Sequence, residues 1–349
     1  MKFLKKNLQV ILVIIAAIFL GILVYSQRHK FEETWALLTD VNILVLLCIP
    51  LAQIGSYFFV GSFYHSFLKV LGARSVKRPR MIKLVFALTF TNQILPSGGA
   101  SGIGYFMYAL RNKATTSKVA LTQLSRYIIS YYSYALILLV AYIALLLGGD
   151  LDRNTSTLLL SLAGGAASFT IGISLIIRFN NGISTGIVWV KERLVKLFPK
   201  RSSKRKQKQS KKFTALKTSI KEFQQGYTYV TNNYSKIKYP ALYMLGSTIC
   251  EQLIVYLSFV AIGVDVNIGI IMLAFAVANA AGVVSVIPGD IGVHEFAMIT
   301  VLSYAGVDSE AAIAGTLIYR VFNKSIFLPI GFYFYSRLLK PVSNATKSA

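Results

Sequence analysis

Apolar runs of about 20 residues recur along the chain, and that length fixes the solvent before it fixes the fold. At 1.5 Å rise per residue, 20 helical residues cross a hydrocarbon layer roughly 30 Å thick. Such runs occupy residues 7–25, 41–70, 127–147, 155–177, 239–264 and about 311–335. A backbone at that depth must satisfy its own hydrogen bonds, which leaves helices or closed barrels. Only 14% of the 349 residues are charged and 55% are hydrophobic, against about 25% charged in a soluble domain. The expectation is an all-α polytopic membrane protein in a single integral membrane domain, 1–349. A secreted disulfide scaffold, a disordered chain and a cytosolic enzyme are excluded. Cys48 and Cys250 each sit inside an apolar run, with no second Cys or His at ligand spacing, and read as small buried residues. No metal and no cofactor is expected.

The charge imbalance is large: 37 Lys and Arg against 13 Asp and Glu, a formal +24. Its distribution says whether it serves nucleic acid or a membrane face. The segment 178–238 carries 16 Lys and Arg against Glu192 and Glu222. Its first part mixes apolar and basic residues around Trp189, as an interfacial amphipathic helix would, and 200–212 is a basic linker. Alternating the spans by the positive-inside rule puts 31 of the 37 basic residues in the cytoplasm and leaves Arg28, Lys30 and Arg153 outside. Eight of the 13 acids fall outside. Topology therefore accounts for the charge, and no nucleic acid partner is expected. Both termini are expected in the cytoplasm.

Two stretches break the pattern of full spans. From Leu84 the apolar residues last only about 12 before Leu95-Pro96-Ser97-Gly98-Gly99, then resume to Leu110. A second stretch, 268–287, ends in Pro288-Gly289-Asp290-Ile291-Gly292 and is followed by a short apolar piece to Tyr304. Half-length helices joined by a Pro/Gly turn read as re-entrant hairpins, with Asn92, Pro96, Gly98, Gly99, Pro288, Gly289, Asp290 and Gly292 forming the turns. Residues 268–287 are long enough to span fully, which counts against the second hairpin. The order hairpin, loop, long span occurs in 81–147 and again in 267–335. Pro96 to Ser117 and Pro288 to Ser309 are both 21 residues, and Arg126 and Arg320 follow their prolines by 30 and 32. The first unit starts inside and the second outside, so the two form an inverted repeat, with about six transmembrane helices in all. Such repeats place a binding site near the midplane between broken helices. The plainer alternative is a chance match of two apolar Pro-Gly segments.

The stretch Asn92-Gln93-Ile94-Leu95-Pro96-Ser97-Gly98-Gly99 and the stretch Pro288-Gly289-Asp290-Ile291-Gly292-Val293-His294-Glu295 with Tyr319-Arg320 resemble the transmembrane region of lysylphosphatidylglycerol synthases. That family also includes stand-alone flippase-like proteins. The resemblance covers nearly the whole chain and implies movement of phospholipid between leaflets of a bacterial cytoplasmic membrane. The chain ends some ten residues after its last expected span, so the aminoacyl-transferase activity of the synthases is not carried over and no enzyme is expected. Many relatives carry an acidic and a basic residue just after the first glycine turn, where this chain reads Gly102-Ile103-Gly104-Tyr105, a departure that bears on head-group preference.

Ionisable residues inside the spans nominate a site on their own, because each costs several kcal/mol unless it faces a cavity or a partner. Arg126, Glu251, Glu295, Arg320, Asn323 and Lys324 are the candidate substrate-binding residues. Guanidinium groups donate in pairs to phosphate oxygens. Glu295 and Arg320 could instead only fasten the hairpin to the next helix, Arg126 could snorkel, and Glu251 could be either a cavity residue or the partner of Arg126. His294 reads as a packed polar residue rather than a proton relay. A nucleophile-elbow match at Gly182-Ile183-Ser184-Thr185-Gly186 has no strand before it and is discarded. The functional expectation is a translocase for an anionic-headed phospholipid, an aminoacylated phospholipid or a polyprenyl-phosphate lipid. The alternative is an accessory scaffold for a lipid- or glycan-modifying enzyme. The expected partners are membrane lipids with anionic head groups, with a lipid-modifying enzyme and a second copy of the chain as further candidates.

Overall fold

A computed structural model describes residues 37–73, 76–94, 100–148, 164, 225–230, 232–284 and 290–339. The expected spans 7–25 and 155–177, the linker 200–212, and the turn residues Pro96, Gly98, Gly99, Pro288 and Gly289 lie outside these residues. The described elements are helices, with no strand among them.

Helix α1 (Ile43–Val70) begins where the Asn42 side chain accepts from the backbone N–H groups of Leu44 and Val45, at 3.1 and 3.3 Å. It packs along α5 (Tyr234–Ala261) in antiparallel register: Asn42 N–H donates to the Ala261 carbonyl at 2.8 Å, and further along Ser56 Oγ stands 3.0 Å from Ser247 Oγ. Small residues at this seam, Gly55, Ser56, Gly246 and Ser247, let two membrane helices approach closely. Helix α5 is the central element: half of its most apolar stretch is buried, against 28% for α1 and 29% for α4 (Thr116–Gly148). The outward faces carry large apolar residues into the surroundings, Leu44 at 77% exposure and Leu147 at 82% among them. A soluble protein rarely shows so broad an apolar surface, and a bilayer supplies the missing contact. Hydroxyl side chains along the helices turn back on their own carbonyls, as Thr91 does to Ala87, Thr122 to Lys118 and Ser258 to Ile254.

Between the spans lie two pairs of short helices. Helix α2 (Arg78–Ile94) packs on α3 (Ala100–Leu110), and α6 (Ile268–Val284) packs on α7 (Val293–Tyr304). Helix α6 is described over 17 residues, about 25 Å. The long helix of each unit then packs on the first arm of the other: α4 lies on α6, and α9 (Leu328–Leu339) lies on α2. Three core clusters result, the smallest where α4 meets α6 around Leu138, Ala141, Leu145 and Leu273. One of the two larger clusters gathers Leu71, Val76, Met81, Leu110 and Val119, near helix ends expected on the cytoplasmic side, with Met244 from within α5. The other gathers Ile262, Val266, Leu302 and Ala311, at ends expected outside.

Three boundaries depart from expectation. Helix α4 starts at Thr116, well before residue 127, so Arg126 lies inside a continuous helix. Its polar residues face other helices, where Gln123 and Ser125 are buried, so apolarity alone marked too late a start. Helix α5 runs 234–261 rather than 239–264. The last span is broken: α8 (Ser309–Arg320) gives way to a π-helical turn, Val321–Ser325, before α9. That turn carries Asn323 and Lys324, polar residues in an apolar run.

Glycine decides how closely α1 meets α2. A Cβ on Gly61 would stand 2.6 Å from Ile82 Cγ1 and 2.8 Å from its Cα, whereas Gly104 on α3 has nothing within 4 Å. Gly61→Ala should therefore destabilise by about 1–3 kcal/mol through overpacking. Gly104→Ala should stabilise by about 0.5–1 kcal/mol by restricting the unfolded chain. Thermal unfolding of the two variants in the same detergent checks the opposite signs.

Candidate functional site

The second helix pair builds its junction from charged residues. Gly292 (φ +85°) opens α7, and Glu295, three residues on, reaches back so that its carboxylate accepts from the Gly292 backbone N–H at 2.7 Å. The other oxygen of Glu295 accepts from Arg320 Nε at the end of α8, an ion pair that ties the short helix to the following one. Asp290 has φ +53°, a left-handed conformation that aspartate tolerates better than bulkier residues. Its Oδ2 lies 3.8 Å from Arg320 and 3.5 Å from His294 Nδ1. It also lies against α6, where a Cβ on Gly282 would come within 2.8 Å of it. His294 is 1% exposed, stacked on Tyr319 with ring centroids 5.7 Å apart and met edge-on by Phe275 at 6.2 Å. The first pair has a related feature: a Cβ on Gly102 of α3 would overlap Asn92 Oδ1 of α2 at 2.0 Å, so in both pairs a polar side chain lies over a glycine of the opposite arm.

The first unit contributes Arg126 from α4. One NH group of its guanidinium donates to the Tyr64 hydroxyl at 3.4 Å, and that hydroxyl donates to Gln123 Oε1 at 3.0 Å. The guanidinium also lies 5.9 Å from the Tyr64 ring centroid and 5.8 Å from that of Tyr127. Its Nε is buried with no hydrogen-bond partner among the described residues, and no carboxylate lies within ion-pair distance. The alternative pairing of Arg126 with Glu251 is thus absent. Glu251 instead accepts from the Tyr134 hydroxyl at 3.0 Å, two turns further along α4. Arg126 and Lys324 are both near enough to Glu251 to act on it electrostatically, and Lys324 acts on Asp290 as well.

The π-helical turn sets the third group. It follows Arg320 directly and presents Asn323, whose amide donates to Gln53 Oε1 of α1 at 3.1 Å in a buried setting. Lys324 is half-buried beside it and makes no ion pair among the described residues. On α5, next to Glu251, Gln252 is 5% exposed, and both ends of its amide lack a hydrogen-bond partner among the described residues. A buried amide left in that state costs about 1–3 kcal/mol.

The structure therefore links Arg126, Glu251, Asp290, Glu295, Arg320, Asn323 and Lys324 as charged and polar groups interior to the helices, each helped by residues that the sequence reading passed over. Those are Tyr64, Gln123 and Tyr134 around Arg126 and Glu251, and Gln53 at Asn323. Their signal was present: a glutamine in the middle of an apolar helix is as costly to strand as an arginine is conspicuous. The balance of charge also differs between the two arginines. Arg320 faces two carboxylates, whereas Arg126 and Lys324 face none within ion-pair distance among the described residues.

Comparison with known proteins agrees with this architecture. A 237-residue stretch covering 66% of the chain is 23% identical to a UPF0104 membrane protein of Methanothermobacter thermautotrophicus, covering 67% of that protein. A phosphatidylglycerol lysyltransferase of Bacillus subtilis is 24% identical over 106 residues, 29% of this chain and 12% of that enzyme. The chain thus matches about two thirds of the archaeal protein and only a small part of the lysyltransferase. The sequence profile of the lysylphosphatidylglycerol synthase TM region matches residues 9–331, and the chain belongs to that family.

Proposed function

We propose that the protein is a lipid translocase that carries an amphiphile with an anionic head between leaflets. The observation that carries this reading is the pair of basic groups inside the bundle, Arg126 and Lys324, that no carboxylate among the described residues matches at ion-pair distance. A cation within a membrane span is costly unless it meets a partner, and a lipid phosphate is the anion that the bilayer itself supplies. Arg126 offers a planar fork and Lys324 a mobile point charge, so together they suit phosphate better than a single carboxylate. The name of the Bacillus relative points to phosphatidylglycerol as a lipid of the right charge. In this reading the head group moves through the polar interior between α4, α5 and the π-helical turn, while the acyl chains stay in lipid outside.

The direction of the spans follows from the positive-inside distribution, with both termini and the segment 178–238 on the cytoplasmic side. The two helix pairs, each packed on the other unit's long helix, supply the elements that would move. Rocking of one repeat against the other about a fixed site is the general route by which inverted repeats alternate access.

Reconstitution tests the reading. Full-length protein in liposomes holding a trace of fluorescent phosphatidylglycerol should let a membrane-impermeant quencher reach the inner-leaflet probe with time. Empty liposomes and liposomes with fluorescent phosphatidylcholine should show little further quenching. Equal rates with and without protein for phosphatidylglycerol, an aminoacylated phospholipid and a polyprenyl phosphate would overturn the proposal.

A further inference from the structure

The seam between α2 and α9 lies apart from the central charges and has its own chemistry. Along α2, Lys83, Phe86 and Phe90 follow one another at helical spacing, and each meets an aromatic ring of α9. Lys83 Nζ stands 5.9 Å from the Phe334 centroid, and Phe86 lies 5.8 Å from the same ring. Phe90 lies 5.5 Å from both Phe332 and Tyr335, and Tyr105 of α3 adds its ring 5.1 Å from Tyr335. The helices come this close because Gly331 has no side chain: a Cβ there would stand 2.7 Å from Phe90 Cβ and 2.8 Å from the Phe86 carbonyl oxygen. One side of the seam is open, with Phe332 56% exposed.

At its basic end the seam has no counter-charge among the described residues. Arg80, Lys83 and Arg337 are exposed there, and α2, α3 and α9 contain no Asp or Glu. Arg80 is near enough to the Tyr105 hydroxyl to act on it electrostatically. That hydroxyl is buried and has no hydrogen-bond partner among the described residues, on a side chain only 6% exposed. Buried phenol groups ordinarily find a partner. A ligand that satisfies both ends has anionic oxygens beside long hydrocarbon.

We propose that this seam is a docking site for one anionic phospholipid, its phosphate held by Arg80 and Lys83 with the Tyr105 hydroxyl as a further donor, and its acyl chains lying on Phe90, Phe332 and Tyr335. The charges favour a head group with net negative charge over a zwitterionic one, because α2, α3 and α9 offer no carboxylate to receive a head-group cation. The site is separate from Arg126 and Lys324, and it would hold lipid whether or not the central groups transport it.

The test reads binding rather than exchange. Full-length protein in detergent is titrated with phosphatidylglycerol or phosphatidylcholine, and retained lipid is counted by native mass spectrometry. A photoreactive phosphatidylglycerol then maps the contact by peptide. Each interfacial basic residue contributes about a five-fold gain, so Arg80→Gln with Lys83→Gln should weaken phosphatidylglycerol roughly 30-fold at the tightest site. Tyr105→Phe should weaken it about 2- to 10-fold. Lys236→Gln with Lys238→Gln is the control, since these lysines also lie over tyrosine rings, at 5.0 and 5.1 Å, but off the seam. It should change the tightest site little, and crosslinks should fall on α2 and α9. Arg80→Lys should retain binding, and with Tyr105→Phe it serves as the test pair if the double glutamine variant melts early. Equal loss from the seam and control pairs, equal retention of the two lipids by the unaltered protein, or unchanged binding in the seam variants would each overturn the proposal.

Discussion

Arg126→Met should lower exchange of phosphatidylglycerol in liposomes by about 10- to 100-fold while leaving the protein folded. The size follows from losing hydrogen bonds between a charged donor and phosphate, about 1.5–3 kcal/mol. The small cost in stability follows from the surroundings. Arg126 has no carboxylate at ion-pair distance among the described residues, so its removal breaks no ion pair and costs Glu251 only a longer-range attraction. Tyr64 loses one long contact of 3.4 Å and still donates to Gln123 at 3.0 Å. Glu251 keeps its hydrogen bond from Tyr134 at 3.0 Å. Methionine fills the volume without a charge to bury, and the unfolding temperature in detergent should stay within a few degrees of the parent. Arg126→Lys should fall between, keeping the charge and losing the bidentate geometry. Unchanged exchange in the folded methionine variant would remove Arg126 from the transport path. A collapse of stability would assign it to the frame instead.

Much of the frame was legible because solvent and length act on the whole chain at once. The spans α1, α4 and α5 follow from apolar runs that only a bilayer accommodates, and the short helices flanking 95–99 and 285–289 follow from Pro and Gly where a span should have continued. What the sequence concealed depends on three-dimensional neighbours. The polar start of α4 looked like loop because Ser117, Gln123 and Ser125 find burial against other helices, which no periodicity states. The break after Arg320 is easily passed over because its signal, Pro329, which cannot donate to the Ser325 carbonyl four residues before it, sits beyond the turn inside an otherwise apolar run. The choice between partners for Glu251 could not be read from spacing either, since Arg126 and Tyr134 are both on α4 and two turns of helix separate them. Geometry chose the tyrosine. Arg320 and Glu295 stand 25 residues apart, and only the packing of α7 on α8 brings them together.

That pair gives the prediction with the largest effect on stability. Glu295 holds two donors at once, the Gly292 backbone N–H and the Arg320 guanidinium, so it both caps α7 and fastens it to α8. Arg320→Met leaves Glu295 and Asp290 as neighbouring carboxylates in a part-buried setting, offset among the described residues by the backbone donor, His294 and the more distant Lys324. Removing one partner of a buried ion pair costs about 3–5 kcal/mol. Glu295→Gln should cost somewhat less than Arg320→Met, because Arg320 retains Asp290 at 3.8 Å and the glutamine oxygen can still accept from Gly292. The double variant should recover about 2 kcal/mol of the summed loss, the usual scale of coupling for residues in direct contact. Recovery should be incomplete, since Asp290 has then lost its guanidinium, and adding Asp290→Asn should bring back more. Thermal unfolding in detergent, measured on the parent, both single variants and the double, yields the coupling directly. Exchange measured on the same four proteins separates fastening from transport. If Arg320 also meets the lipid phosphate, the double variant regains its fold and remains inactive. Full exchange by a stable double variant would confine Arg320 to holding the short helix in place and leave Arg126 and Lys324 as the groups that meet the lipid.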